Sequence, residues 1–518
     1  MAKVRIPLVG APHHRQFADS NTLPAISTLD QRFVNCIFVN DTNPALGSSR
    51  WRAIKRPGIG GAVALANTAT GAYTVAQADT QVNGYGTIAL IPSTTANSIR
   101  VARGDGTSAT VDATGHVATS RLTKYYDSSS NELYAFHVVT AVAANRKAFS
   151  MTAGGTETEI TDADYPEANA IGNFVFMDGY LFIATDTGRI YNSDLNSATA
   201  WTSTSFVTSQ KQDQGRGAFS YRDKVGLFGA DYIEFYENVG ASTSPLQQLD
   251  HLRRSGYGLW MPVGSSNVSM DTGHFYLESV DTVFWINSVD TASGAGVFML
   301  DGFAPKKISN PSVDYDLGRH FPGNLSIRGL FSLLGQRYLV IATGDQATDY
   351  IWVYCLDNGT WTTWESALFA GAAFGGIVKN RTNADDEQDD IFVYSGTSFY
   401  AFDTTSLLST DISYTDNAVA YTATLQTRNL DLGTYKRKRL NRLTLIGADS
   451  RETSTCGISW SDDDGQTWST ARNVDLNDSR PTLTRLGIFR ERQFRITNSS
   501  DAPMELEAIE LEYEELAA

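Results

Sequence analysis

The pair Asp178-Gly179 constrains this chain more than any other feature. It sits between Asn173-Phe174-Val175-Phe176-Met177 and Tyr180-Leu181-Phe182-Ile183-Ala184. A two-residue type I′ turn needs positive φ at both central residues, and Asp-Gly supplies it. The flanking runs are too short for helices and too apolar for exposed loops. Thr185-Asp186-Thr187-Gly188 then leads to Arg189-Ile190-Tyr191-Asn192-Ser193, and Trp201 closes the unit. The expectation is three antiparallel strands with a bulky anchor at the end.

The same grammar recurs. Phe219-Ser220-Tyr221 precedes Lys224 to Gly229 and Tyr232 to Tyr236, and Phe275-Tyr276-Leu277 precedes Val283 to Ile286 and Val297 to Gly302. Tyr338 to Ala342 precedes Ile351 to Tyr354, Asn358-Gly359 and Trp361, and Ile391 to Tyr394 precedes Phe399 to Asp403. Small sheets recurring at intervals of about 40 to 60 residues are the mark of a β-propeller, whose radial packing buries both faces of each sheet. A row of separate β-sandwiches is the alternative.

The fold class is therefore all-β. A β-propeller-like body spans 61–410, with early blades in the Gly-, Ala- and Thr-rich stretch 61–165. Before it, residues 1–60 form an extended segment punctuated by Pro7, Pro12, Pro24, Pro44 and Pro57, with a plausible strand over 29–40. That segment lies either across a neighbour, in its own chain or another subunit, or serves as a first strand and loop. After the body, 411–518 carries longer, more charged strands and reads as a β-sandwich-like module. In its last strand Ile509, Leu511 and Tyr513 alternate with Glu510, Glu512 and Glu514, so one face is wet.

Net charge is −16, from 57 acidic and 41 basic residues. Such a surface repels nucleic acid, which disfavours ordinary DNA binding but not a passage through which DNA slides. Cys36, Cys355 and Cys456 are far apart, odd in number and without metal-ligand spacing, so neither a disulfide framework nor a zinc site is expected. The start lacks the apolar core of a secretory signal, and no run approaches the ~20 apolar residues that cross a bilayer. A soluble chain from a reducing cytoplasm, without membrane anchoring, is expected.

Chemistry-bearing patterns are few. Ser461-Asp462-Asp463-Asp464-Gly465-Gln466-Thr467-Trp468 resembles the Asp box of sialidases and related propellers, with Ser461, Asp463, Gly465, Thr467 and Trp468 in its fixed positions. Asp463 can accept hydrogen bonds from its own turn, Gly465 can take positive φ, and Trp468 can pack beneath the hairpin, which makes the box a structural turn. A glycosidase would need two carboxylates facing one pocket. His13-His14 reads as a surface pair, Arg103-Gly104-Asp105 as a chance tripeptide, and the acidic run 385–390 as a solvated loop without calcium-loop spacing. No catalytic set, cofactor or metal is expected. The dense basic cluster Lys436-Arg437-Lys438-Arg439 is either a charged strand face or a docking patch for an acidic partner or a phosphate backbone.

Taken in order, several of these pieces resemble the packaged-DNA stabilisation proteins of short-tailed bacteriophages, also described as tail hub or nozzle proteins. The likeness runs through Ile6-Pro7-Leu8-Val9-Gly10, Gln31-Arg32-Phe33-Val34-Asn35, Arg56-Pro57-Gly58-Ile59, Met177-Asp178-Gly179-Tyr180 and Gly188 to Leu195. It continues with Val225 to Gly229, Ile233 to Tyr236, Val297 to Phe303 and Lys307-Ile308-Ser309. Cys36-Ile37-Phe38 and the expanded 61–130 segment depart from the pattern. The resemblance implies a non-enzymatic virion tail component, assembled in the host bacterial cytoplasm as a homo-oligomeric ring, commonly a hexamer. It implies as partners a tail adaptor or head-to-tail connector, fibre, spike or plug proteins, and DNA passing through the lumen without sequence-specific binding. Gln31, Arg32, Asn35 and Arg56, with Lys436 to Arg439, are the interface candidates. A propeller-type carbohydrate-binding or glycan-hydrolysing protein is the competing reading, and a host-side peptide-binding scaffold a third.

Overall fold

Asp178 and Gly179 have φ of 52° and 84°, as a type I′ turn requires. They join Ala170–Met177 to Tyr180–Thr185, which pairs in turn with Arg189–Ser193. Trp201 does not cap a three-stranded unit: it opens a fourth strand, Trp201–Thr208, on the outer edge. Its indole is buried and donates to the Ala198 carbonyl at 2.8 Å. The same turn is made without glycine by Arg222 and Asp223, with φ of 46° and 58°.

These coordinates are a computed structural model describing residues 2–9, 32–43, 48–64, 74–82, 85–93, 98–103, 108–112, 118–139, 147–152, 156–211, 214–241, 244–260, 275–279, 281–288, 291–320, 325–342, 350–370, 374–380, 390–395, 398–403, 412–448 and 452–516. Gln31, His13, His14, Gly104, Asp105 and positions 385–389 lie outside them. The one α-helix among the described residues is Pro311–His320.

Seven small antiparallel sheets follow in chain order. Blade 1 runs from Thr74–Val82 to Ser108–Asp112, blade 2 from Ala118–Thr119 to Glu157–Glu159, and blade 3 from Ala170–Met177 to Trp201–Thr208. Blade 4 starts at Gly215–Tyr221, blade 5 at Tyr276–Glu278, blade 6 at Ser326–Leu333 and blade 7 at Phe374–Asn380. Each blade touches the next, from blade 3 onward through its first strand, and the first strand of blade 7 touches blade 1, so the ring is closed. The outer strand of blade 7 comes from far upstream: Ile59–Ala64 pairs antiparallel with Ser398–Phe402. This is a seven-bladed β-propeller.

A recurring bulge lets the blades approach. The first strands of blades 3, 4, 6 and 7 each slip register at the same place, beside Gly172, Gly217, Gly329 and Gly376. Gly329 has φ of 157°, and a Cβ there would lie 2.2 Å from the Ile377 carbonyl oxygen on the next blade. A Cβ on Gly376 would lie 2.6 Å from the Arg328 carbonyl oxygen on the preceding one. Only glycine fits such mutual backbone contact.

The two ends of the chain share one β-sandwich. In one sheet Ala2–Pro7 and the hairpin Cys36–Asn43/Ser48–Lys55 pair with Glu505–Glu515, which pairs with Lys438–Gly447. The other sheet orders Arg32–Val34, Ala423–Gln426, Gln493–Asn498, Thr455–Ser461 and Arg472–Asp475. A parallel bridge from Val34 to Thr363 makes it continuous with blade 6. Phe33, Phe38, Leu443, Ile458, Phe494, Ile509 and Leu511 are buried in one apolar cluster that extends into blades 6 and 7. The predicted alternation of the last strand holds: Ile509 and Leu511 are buried, while Glu510 and Glu512 pair with Lys3 and Arg442 on neighbouring strands. Because N-terminal and C-terminal strands interleave in these sheets, divisions at 60 and 411 cut across shared hydrogen bonds.

Candidate functional site

The most elaborate polar cluster lies where the chain passes into and out of the propeller. Arg56 is fully buried just before the closing strand Ile59–Ala64, and Asp416 lies just after blade 7. Arg56 Nη1 and Nη2 donate to Asp416 Oδ1 and Oδ2 at 2.8 and 2.5 Å. Burial is the largest single influence and works against the charge on Arg56, but Asp416, Tyr421 and Cys36 together raise the guanidinium pKa. The ring of Tyr421 stacks on the guanidinium at 4.0 Å, and its hydroxyl donates to the Arg56 carbonyl. Arg56 is thus a fork-on-fork pair roofed by an aromatic face.

Asn35 organises the same spot. It has φ of 53°, which breaks the expected 29–40 strand into Arg32–Val34 and Cys36–Asn43. Its Oδ1 accepts from Arg56 Nε at 3.1 Å and from the Glu365 amide at 2.8 Å, and its Nδ2 donates to the Thr422 carbonyl at 2.9 Å. One side chain therefore ties the N-terminal segment, blade 6 and the C-terminal sheet together. Lys55 beside it donates to Asn498 Oδ1 and the Ser500 carbonyl at 3.2 and 2.6 Å, and burial together with neighbouring Arg56 pulls its pKa down to about 8.

Asn35 and Arg56 are accordingly internal and not surface docking groups of this chain. Each nitrogen of the Arg56 guanidinium has a partner within its own chain. Arg32 is exposed and pairs with Glu365 at 3.0 Å. In the basic cluster Lys436, Arg437 and Arg439 are exposed, whereas Lys438 is buried and donates to the carbonyls of Thr434, Lys436 and Arg490 at 2.6, 3.1 and 2.6 Å. Burial lowers the Lys438 pKa. Lys438 is a loop clamp; only its neighbours can meet a partner.

The Asp box closes on itself. Asp463 accepts from the Ser461 hydroxyl at 2.7 Å, the Thr467 amide at 2.9 Å and the Thr467 hydroxyl at 2.5 Å. These bonds, led by the Thr467 hydroxyl, bring its pKa down to about 2. Gly465 has φ of 79°, Trp468 donates to the Gly465 carbonyl at 3.0 Å, and Arg495 lies 3.7 Å above the Trp468 ring. Its carboxylate is spent holding a hairpin of the sandwich.

The propeller axis holds groups that the sequence did not single out. Arg121, at the start of blade 2, donates through Nη2 to the Ile327 carbonyl of blade 6 at 2.6 Å. Blades 2 and 6 are not neighbours in a ring of seven, so this side chain crosses the middle. The Tyr276 hydroxyl of blade 5 accepts from the Asn173 amide at 2.8 Å and donates to the Ala218 carbonyl at 2.7 Å, linking blades 3, 4 and 5. Removal from water pushes Glu278, beside it, up to about 8, against the Ser220 amide and the charge of Arg121. Nothing in the local sequence around Arg121, Asp416 or Tyr421 marks them, because their partners lie 200 or more positions away. Among the described residues no group of three His, Cys, Asp or Glu side chains could hold a metal ion, and no helix is long and apolar enough to cross a membrane.

Residues 103–330, which contain blades 2 to 5, match the family model described as Phage_stabilise: Bacteriophage P22 Gp10, beta-propeller. Over that stretch the chain is similar to the phage packaged-DNA stabilisation family. No curated protein matches the chain. Among solved structures, it is similar to a streptogramin B lyase (12% identity, 66% of this chain and 96% of that one, TM-score 0.37) and to the computationally designed Ika8 protein (11%, 65% and 98%, 0.35). A third is an exo-β-1,3-galactanase from Phanerochaete chrysosporium (12%, 89% and 100%, 0.26).

Proposed function

We propose that this stabilisation-family chain is a non-enzymatic nozzle or hub component of a phage tail. Copies close into a ring, commonly of six, below the portal and adaptor, extend the DNA channel, retain the packaged genome and anchor fibres, spike or plug. The ring assembles in the host bacterial cytoplasm and becomes part of the virion tail. The family match over 103–330 carries this reading.

The axis of the propeller supports one detail. With Arg121 spanning from blade 2 to blade 6, the propeller's own centre is not a conduit for a duplex whose major groove alone is about 12 Å wide. The lumen is therefore formed between copies. A net charge of −16 suits walls that must not grip phosphates. Cryo-EM of virions carrying a tagged copy tests this: the tag should appear as a closed ring around the DNA axis below the portal. A tag found in the capsid shell, or as a single copy at a fibre tip, would overturn it.

A further inference from the structure

Two exposed patches of opposite character sit on opposite flanks of the molecule. The first is a groove of about 500 Å³ on the sandwich, between Arg439, Asn441, Thr484, Arg485 and Ile488. No carboxylate lines it. Ile488, paired with Arg439 across adjacent strands, is 48% exposed, and Tyr435 nearby is 77% exposed. Around it, Lys436 pairs with Glu515, and Glu514 stands opposite Arg439 on the strand away from the groove. Two arginines flanking an uncovered isoleucine are an unusual surface in a chain this acidic.

The second patch is on blade 3. Leu195 is 57% exposed and lies over the Asp178-Gly179 turn, between exposed Asp178 and Asp194. Asn238 of blade 4 donates to Asp178 Oδ2 at 3.0 Å and brings Val239, 48% exposed, to the same rim. Here two carboxylates flank uncovered aliphatic side chains.

The sandwich grows from the outer strands of blades 6 and 7. In a ring of seven, blade 3 lies directly across from the junction of 6 and 7. The two patches therefore cannot meet within one subunit. Contacts of this kind join different surfaces of successive copies and generate rings when the rotation closes. We propose that the Arg439–Arg485–Ile488 groove receives the Asp178–Asp194–Leu195 rim of a second copy of this chain. This rests on the ring reading above and names the surfaces that make the ring.

Cysteine cross-linking of full-length chains tests it. The native cysteines Cys36, Cys355 and Cys456 are all buried and do not compete. Leu195→Cys and Ile488→Cys are prepared as separate chains, mixed and mildly oxidised, with light scattering run in parallel. The expected product is a disulfide-linked pair in the mixture, exceeding that from either variant alone. Adding Arg439→Glu and Arg485→Glu to the Ile488→Cys chain should lower its yield at least about tenfold, the equivalent of 1.4 kcal/mol. Adding Asp178→Lys and Asp194→Lys to the other chain should restore it. Copies that associate in light scattering but give no mixed pair, or pair regardless of charge, sink the contact and leave the ring reading standing. Chains that neither associate nor cross-link at any concentration sink both.

Discussion

Asp416→Ala would leave Arg56 fully buried without its counter-ion. Breaking a buried pair by removing one partner costs about 3–5 kcal/mol. Arg56 keeps the Asn35 side chain at 3.1 Å, the Pro57 carbonyl at 3.2 Å and the Tyr421 face at 4.0 Å. The loss should thus fall at the low end, about 3 kcal/mol. It should be felt locally, because Asp416 pairs in parallel with Ile59 and the Asn417 amide donates to the Ile59 carbonyl at 2.6 Å. Native-state hydrogen exchange read by mass spectrometry is the assay. Amides of Ile59–Ala64 and Ser398–Phe402 should exchange roughly 100-fold faster, since each 1.4 kcal/mol is a factor of ten. Blades 3 and 4 should not change. Arg56→Met combined with Asp416→Leu removes both charges and should recover most of the protection. Unchanged exchange in the closing strand, or equal acceleration throughout the chain, would refute the claim that this pair fastens the ring.

Three further outcomes are expected. Gly329→Ala places a methyl 2.2 Å from the Ile377 carbonyl oxygen at φ of 157° and should lower stability by about 2–3 kcal/mol in urea unfolding. Gly60→Ala, with nothing within 4 Å of its Cβ, should leave the midpoint within experimental scatter. For Asp463 the folded pKa of about 2 is below the ordinary value of 3.8, so its contribution is complete above 3.8 and is lost as pH falls toward 2. Trp468 fluorescence should report opening of the turn across that window, and Asp463→Asn should abolish the acid-dependent change.

Much of the fold was readable because it is written in local terms. The type I′ turn at Asp178-Gly179, the alternation at Ile509 to Glu514 and the Asp box each depend on residues within a few positions of one another. Repeats of that local signal pointed to a propeller and, through the ordered pieces, to the family. What escaped was non-local. Ile59–Ala64 reads as a Gly-rich stretch of no particular destination until Ser398–Phe402 is beside it. Arg56 and Asn35 sat in a segment that resembles the family and were natural interface candidates; their partners, the Asp416 carboxylate and the backbones of Thr422 and Glu365, come from distant parts of the chain. In the basic cluster, sequence gives four equal cations. The strand opens at Lys438 with that side chain inward and Arg439 outward, while Lys436 and Arg437 lie exposed in the loop before it. The four bulge glycines were a repeat in plain view, but their meaning depends on a carbonyl in the next blade.

The closing strand also dictates when this molecule can be finished. Ile59–Ala64 leaves the ribosome early, yet its partner Ser398–Phe402 follows roughly 340 residues later. At translation speeds of about 5–20 residues per second, that strand waits on the order of twenty to seventy seconds with an unsatisfied edge. Blade 1 faces the same delay before blade 7 arrives to cover it. Nascent chains should therefore engage holdase chaperones until the last blade emerges, and truncations ending before residue 398 should aggregate instead of yielding smaller stable propellers.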